Sequence, residues 1–327
     1  MYLTVVPADE VRALLPMDLC IELMAGALAG LARGAATNPL RTGYGLPGGH
    51  GILATMPGSL ADGQGFGAKL ISVFPGNRAV GLESHQGVIV LFDAEHGIPY
   101  AVVDASAITA IRTAAVSGLA TRLLAREEAT NLAILGSGTQ ARTHLKATLA
   151  VRPIRQVAAW SPTSERLQAF VDEARERHAV EVVAAGSAAE AVSGADIVCT
   201  VTAARDPILR GADLAPGMHV NAVGSSVPSA REIDGEVVAR SRLFVDRRES
   251  ALNESGDLLG AMRDGLVDES HIVAELGEVV VGTARGRHSG EEITLFESLG
   301  LAVEDLAAAS HVAAAAMQQG LGTTVEF

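Results

Sequence analysis

The stretch Asn131–Lys146, NLAILGSGTQARTHLK, constrains the fold of this chain more than any other. Leu132 to Leu135 is an apolar run of strand length, two glycines then mark a tight turn, and a helical pattern begins directly after it. Within the turn, Gly136-Ser137-Gly138-Thr139-Gln140-Ala141 has the spacing G-x-G-x-x-G/A. Gly136 would permit the sharp turn, Gly138 would let backbone N–H groups come close to a pyrophosphate, and Ala141 is small enough for the helix to lie against the strand. Phosphate at this place would sit at the positive end of the helix dipole, which makes Gly136, Ser137, Gly138, Thr139 and Gln140 the expected dinucleotide cradle. In a chain with 35 glycines among 327 residues such a hexad can also be a purely structural turn. The strand before it, the Ala- and Leu-rich helix after it and the strand–helix units beyond favour the ligand.

Those further units make the architecture legible. Strands are expected at Arg155 to Trp160, Val180 to Ala184, Asp196 to Thr202, His219 to Val223 and Arg242 to Asp246, with helices between them at Thr163 to Arg177, Ser187 to Ser193 and Ala230 to Ala239. This alternation predicts an α/β fold with a Rossmann-type doubly wound parallel sheet. The first part reads differently. A helix over Asp18 to Arg33 is followed by a Gly- and Pro-rich segment from Pro39 to Gly67, with a short apolar run at Ile52 to Met56. Strand-like runs at Ala68 to Phe74, Gly87 to Phe92 and Pro99 to Val103 then form an antiparallel meander, and a helix over Ile108 to Leu124 leads into the central strand. Towards the end a helix near His271 to Val281, a strand at Glu292 to Phe296 and an Ala-rich helix from Leu301 to about Gln319 are expected.

Composition agrees. The chain is 48% apolar but only 3% aromatic, so its core is built of Ala, Val, Leu and Ile, a supply that suits a parallel sheet buried on both faces. A formal net charge of −13 argues against nucleic acid or an anionic membrane as partner, leaving room only for a local basic pocket for a small anion. Cys20 and Cys199 sit in apolar runs, which excludes a disulfide framework or cysteine zinc site and points to the cytoplasm. The nine His show no metal-ligand spacing, and Asp9, Glu10 and Arg12 interrupt any signal-peptide core.

In so acidic a chain, basic residues in apolar or glycine-rich surroundings carry information. Arg41 lies in the glycine-rich segment, Lys69 begins a meander strand, and Arg112 sits among small apolar neighbours in ITAIRTAA. Such a cation needs an anionic partner or a solvated cavity. Together the three could hold a substrate carboxylate, with Arg offering a bidentate fork; structural ion pairs with Glu83 or Asp104 are the alternative. His85 is read as a solvated loop histidine with the site as its other possible place, and Glu254-Ser255-Gly256-Asp257 as a helix cap or part of the site rim.

Taken together, GAKLISVFPGN, ITAIRTAAVSGLAT, LGSGTQA, VNAVGSSVPSAREID, ESGDL, AELGEVVVG and TLFESLGLAVEDLA resemble the ornithine cyclodeaminase/mu-crystallin family over nearly the whole length. The resemblance implies a smaller α+β domain for substrate and dimerisation, residues 1–115 completed by 301–327, and a Rossmann NAD(P)-binding domain at 116–300. It implies that the chain is a homodimer. It places Arg41, Lys69 and Arg112 at the positions that bind the substrate carboxylate, makes Lys69 a candidate proton donor, and sets Thr113 and Ser117 near the cofactor, with Val223 at the end of its strand.

One departure bears on the chemistry. Relatives that cyclise ornithine carry Asp in a G-x-D-x-P-G-K pattern, whereas this chain reads GSSVPSAR with Ser226 in that place. A hydroxyl is a far weaker base than a carboxylate, so the serine version resembles the ketimine reductase branch unless Ser226 is merely a turn residue. Trp160 is followed by SPTSER with no acid directly at the strand end, and Ser161, Thr163 and Arg166 could receive a 2′-phosphate. NADP(H) is therefore favoured over NAD(H), although NADP-preferring relatives often carry Arg where Pro162 stands. The expected activity is NAD(P)H-dependent reduction of a small, cyclic 2-imino acid such as Δ1-pyrroline-2-carboxylate or Δ1-piperideine-2-carboxylate. Ornithine cyclodeamination, amino-acid dehydrogenation and non-catalytic cofactor binding are the alternatives within the family.

Overall fold

The computed structural model describes residues 2–63 and 65–326. In chain order the elements begin with β1 (Tyr2–Val6), α1 (Ala8–Leu14), α2 (Met17–Ala32), β2 (Thr42–Gly45), β3 (Ile52–Ser59), β4 (Phe66–Val73), β5 (His85–Phe92), β6 (Pro99–Asp104) and α3 (Ala105–Leu124). There follow β7 (Asn131–Leu135), α4 (Thr139–Val151), β8 (Gln156–Trp160), α5 (Ser164–Arg177), β9 (Glu181–Ala184), α6 (Ala188–Val192), β10 (Ile197–Thr200) and β11 (His219–Ala222). The chain closes with α7 (Gly235–Arg240), β12 (Arg242–Val245), α8 (Arg248–Glu254), α9 (Gly256–Arg263), β13 (Ile272–Glu275), α10 (Leu276–Val280), β14 (Thr294–Glu297), α11 (Ala302–Gln319) and β15 (Thr323–Glu326). Two compact units result, Met1–Arg112 with Leu301–Phe327, and Thr113–Gly300.

The first unit is a seven-stranded sheet in the order β15-β1-β6-β5-β4-β3-β2, with α11 packed on it and α2 packed on α11. Strands β2 to β6 are antiparallel neighbours, as the meander pattern predicts. The expected meander of three strands is nevertheless too small. β1 runs parallel to β6, and β15 pairs antiparallel to β1. Both added strands lie at chain ends, and their partners are far away in sequence, so no local turn announces them. The apolar run at Ile52 to Met56 extends to Ser59 as β3, carrying Pro57 and Gly58 inside the strand. Gly58 and Gly67 let the sheet approach α11: a Cβ on Gly58 would lie 3.2 Å from Ala302, and one on Gly67 would meet Leu306 at 2.9 Å. The Ala-rich face of α11 (Ala308, Ala309, Ala313 and Ala316, all buried) makes the same close approach from the helix side.

The second unit is an eight-stranded sheet, all parallel, in the order β13-β12-β14-β11-β10-β7-β8-β9. Its central strands are buried end to end, as in IVCT of β10 and TLFE of β14, so they show no alternation of buried and exposed positions. From β7 the chain first builds outward through β8 and β9, then returns to place β10 on the other side of β7. The strand order therefore reverses between β7 and β10, where doubly wound sheets take their ligands at the carboxyl ends of the strands. One expectation fails here: the helix expected over His271 to Val281 is an edge strand, β13, followed by the single turn α10. Its short apolar run is compatible with either period, and only pairing with β12 decides it. Among the described residues no single helix is long and apolar enough to cross a membrane; α1 and α2 pass that test only as a pair, bent by 87°.

Candidate functional site

In the first unit, β4 alternates between outward and inward side chains, and Lys69 takes an inward position between Gly67 and Ile71. An ammonium buried to 2% exposure needs counter-charges, and α11 supplies them. Nζ of Lys69 lies 2.6 Å from Oδ2 of Asp305 and donates to the Thr109 hydroxyl at 3.3 Å. Arg112 on α3, itself 4% exposed, donates from Nε to Oδ1 of Asp305 and from Nη1 to Oε2 of Glu304, both at 2.8 Å. Glu304 and Asp305 are wholly buried in the first turn of α11, where the helix dipole favours carboxylates. The ion-pair alternative for Arg112 thus holds, but with Glu304 and Asp305 as partners in place of Glu83 or Asp104; Asp104 accepts from the Ala107 N–H at the start of α3. The fork anticipated for a substrate carboxylate donates to the protein's own acids.

Burial pushes the Lys69 ammonium down from its ordinary value to about 8; Asp305 opposes the shift, and Arg112 and Arg41 add to it. Arg41, half-buried just before β2, is therefore electrostatically part of the group. Burial also works to raise Asp305, yet Arg112 and Lys69 outweigh it and hold its carboxyl below the usual range. Cys20 on α2, near Arg112 and Glu304, is a thiol raised by burial to about 12 and plays no ionic part.

In the second unit, the glycine turn has the properties that its spacing implies. Gly136 has φ +135°, and a Cβ there would lie 2.7 Å from the Val201 carbonyl oxygen, so both conformation and space require glycine. Gly138 caps α4 without a side-chain hydrogen bond, and a Cβ there would meet nothing within 4 Å. Its lack of a side chain serves no contact inside the protein and leaves room for a ligand at the helix N-terminus. Ala141, in the first turn of α4, is fully buried. Ser137 donates to Ser161 at 2.9 Å, tying the turn to the end of β8; Thr163 caps α5 without using its side chain, and Arg166 is exposed in the first turn. Thr113 is buried on α3, and the Ser117 hydroxyl pairs with Nε2 of His144 at 3.0 Å. These residues fit a dinucleotide by room and dipole.

Val223, Gly224, Ser225 and Ser226 form the loop after β11, with Ser226 half-buried. Beneath it lies a carboxylate that the sequence did not single out: Glu232, fully buried, accepts from groups on both neighbouring strand ends. Asp257 accepts from the Glu232 and Ile233 N–H groups, and burial raises it to about 7; Glu297 is raised well above its ordinary value by burial and by Asp257. Ser255 caps α9 by accepting from the Leu258 N–H, so the Glu254–Asp257 turn is a helix cap. His85 opens β5, exposed, beside the Ser84 hydroxyl. Among the described residues no group of three His, Cys, Asp or Glu could hold a metal ion.

The sequence model of the ornithine cyclodeaminase/mu-crystallin family matches residues 3–320. The chain belongs to this family. Within the family it is 37% identical over 325 residues to a Delta(1)-pyrroline-2-carboxylate reductase of Bacillus cereus, covering 99% of each chain. It is 40% identical over 309 residues to the ketimine reductase mu-crystallin of Mus musculus, covering 93% of this chain and 95% of that one. Among solved structures it is similar to the Thermococcus litoralis Delta(1)-pyrroline-2-carboxylate reductase in complex with NADH and L-proline, with a TM-score of 0.96, 38% identity and coverage of 98% of this chain and 100% of that chain.

Proposed function

We propose that this protein is an NAD(P)H-dependent reductase of small cyclic 2-imino acids, Δ1-pyrroline-2-carboxylate first among them. The observation that carries this reading is the buried group of Lys69, Arg112, Asp305 and Glu304, which holds a protonated amine beside a guanidinium in a place shielded from water. Arg41 and Arg112 would attract the substrate carboxylate by charge, Arg112 being held in orientation by its two acids. Lys69, with its proton affinity lowered to about 8, is still protonated near neutrality and releases its proton more readily than an ordinary lysine, as a group that must protonate an imine nitrogen should. Gly136, Ser137, Gly138, Thr139 and Gln140 would hold the pyrophosphate, Ser161, Thr163 and Arg166 the adenosine ribose, and Thr113 and Val223 would line the nicotinamide end. When bound, the nicotinamide supplies the hydride. Ser226, a hydroxyl where a base would be needed for cyclodeamination, suits a reductase. Assay of NAD(P)H oxidation against a panel of cyclic imino acids, and of 2-oxo acids with amines, tests the reading; turnover confined to the second group would replace it with amino-acid dehydrogenation.

For the cofactor, no carboxylate stands directly after Trp160 to accept the ribose hydroxyls, and Ser161, Thr163 and Arg166 offer donors to a 2′-phosphate. NADPH should bind at least as tightly as NADH. Fluorescence titration of the two checks this, and a clear preference for NADH, the cofactor present in the Thermococcus structure, would overturn it.

We further propose a homodimer. On the sheet face opposite Lys69, Tyr44, Phe66, Leu70 and Val88 are exposed, with Phe66 stacked on Phe92 at 5.3 Å, and edge strand β2 is exposed along its length. Sedimentation at micromolar concentration should show a dimer or larger assembly; a stable monomer would contradict it.

A further inference from the structure

We propose that Glu232 is a positioning residue whose carboxylate clamps the loops after β10 and β11 in the arrangement that receives the nicotinamide half of the dinucleotide. The proposal rests on the cofactor reading above. Oε1 of Glu232 accepts from the Thr202 N–H at 2.5 Å and from the Thr202 hydroxyl at 2.6 Å. Oε2 accepts from the Thr200 hydroxyl at 2.8 Å, the Gly224 N–H at 2.6 Å and, more weakly, the Val223 N–H at 3.4 Å. Thr200 and Thr202 belong to the carboxyl end of β10, and Val223 and Gly224 to that of β11, its parallel neighbour. One side chain thus ties two strand ends together.

The base of the clamp is fixed. The Glu232 N–H donates to Asp257 at 2.9 Å, and its carbonyl accepts from Ile208 at 2.8 Å and Leu209 at 3.1 Å. The loops are pressed close enough that a Cβ on Gly224 would collide with the Thr202 carbonyl oxygen and lie 2.6 Å from the Glu232 carboxyl carbon. Val201, between the two threonines, is the residue whose carbonyl faces Gly136 of the dinucleotide turn. In a doubly wound sheet the half built on β7 and β8 takes the adenosine side, and the half across the switch point takes the other mononucleotide. The clamp lies wholly in that second half. Burial of an acid is unfavourable unless donors satisfy it, and here the donors to the carboxylate come from the two loops and their strands.

Glu232→Gln keeps the shape but replaces one acceptor with an amide donor facing N–H and O–H donors, so one loop must move. ADP-ribose, which carries the adenosine half without nicotinamide, separates a local effect from general damage. Calorimetric titration of the full-length chain should find ADP-ribose bound within about twofold of wild type, and NADH and NADPH weakened by about tenfold or more, the equivalent of one lost buried hydrogen-bond partner. Equal weakening of ADP-ribose and NADH, or no change in either, would overturn the proposal. If Glu232→Gln does not fold, Thr202→Val, which removes a single hydroxyl donor, carries the test: a loss confined to NADH and NADPH supports the clamp, and an unchanged NADH-to-ADP-ribose ratio overturns it. A wild-type chain that binds neither ADP-ribose nor NADH refutes the cofactor reading itself, an outcome distinct from either result with the variants.

Discussion

Lys69→Met should lower kcat for imino-acid reduction by roughly 10²–10⁴-fold, the range for loss of a positioned acid. The substitution keeps most of the bulk in the slot between Gly67 and Ile71 while removing the charge and the proton. If Lys69 only helped to gather substrate, the loss would fall on KM and excess substrate would restore the rate. Because the proton is wanted where nitrogen gains it, the loss should fall on kcat as well. The pH profile gives an independent sign. With a proton affinity near 8, Lys69 is protonated at neutral pH, and wild-type activity should decline as pH rises through about 8. Lys69→Met should lack that limb. Steady-state kinetics from about pH 6 to 10 checks both features, and near-normal kcat in the variant would remove Lys69 from the chemistry.

Asp305→Asn should move that alkaline limb without abolishing it. The groups that act on Lys69 are Asp305 on α11, Arg112 and Thr109 on α3, and Arg41 by its field; Glu304 faces Arg112, and Cys20 is an uncharged thiol near those two. Asp305 is the anion that opposes the desolvation of the ammonium. Without it, Arg112 and Arg41 remain, and the Lys69 proton affinity should fall by roughly 1–3 pH units. The kcat/KM limb should shift to lower pH by that amount. Stability should report the same event without any substrate. The folded value of about 8 lies below the unfolded value of about 10.4, so between them the unfolded chain binds more protons and stability rises with pH. In Asp305→Asn the rise should begin at a correspondingly lower pH, as thermal melts across about pH 6 to 10 would show. Breaking a buried ion pair costs roughly 3–5 kcal/mol, so a lowered Tm is expected at every pH. A limb that stays near 8 would mean that Asp305 does not set the charge state of Lys69.

Legibility in the sequence followed the range of the interactions. The Gly136–Ala141 turn could be read because its requirements are local: a positive φ, a close carbonyl and a small residue lie within a few positions of each other. The central parallel strands could be read because burial on both faces removes the alternation of buried and exposed positions. Lys69 and Arg112 could be picked out as cations in apolar surroundings, but their partners could not. Asp305 lies 193 residues from Arg112, and adjacent acids in the first turn of a helix look like ordinary dipole partners. Glu232 was hidden for a related reason, since its five acceptor contacts come from Thr200, Thr202, Val223 and Gly224, residues of no distinctive type. Strands β1 and β15 were missed because each is short and is stabilised by pairing across nearly the whole chain.

The most direct measurement offers the wild-type chain two substrates in parallel. With Δ1-pyrroline-2-carboxylate it should consume NADPH or NADH and form proline in equal amount; with ornithine it should release no ammonia. Ammonia and proline from ornithine, with no reduction of the cyclic imine, would contradict the reductase and restore cyclodeamination despite Ser226.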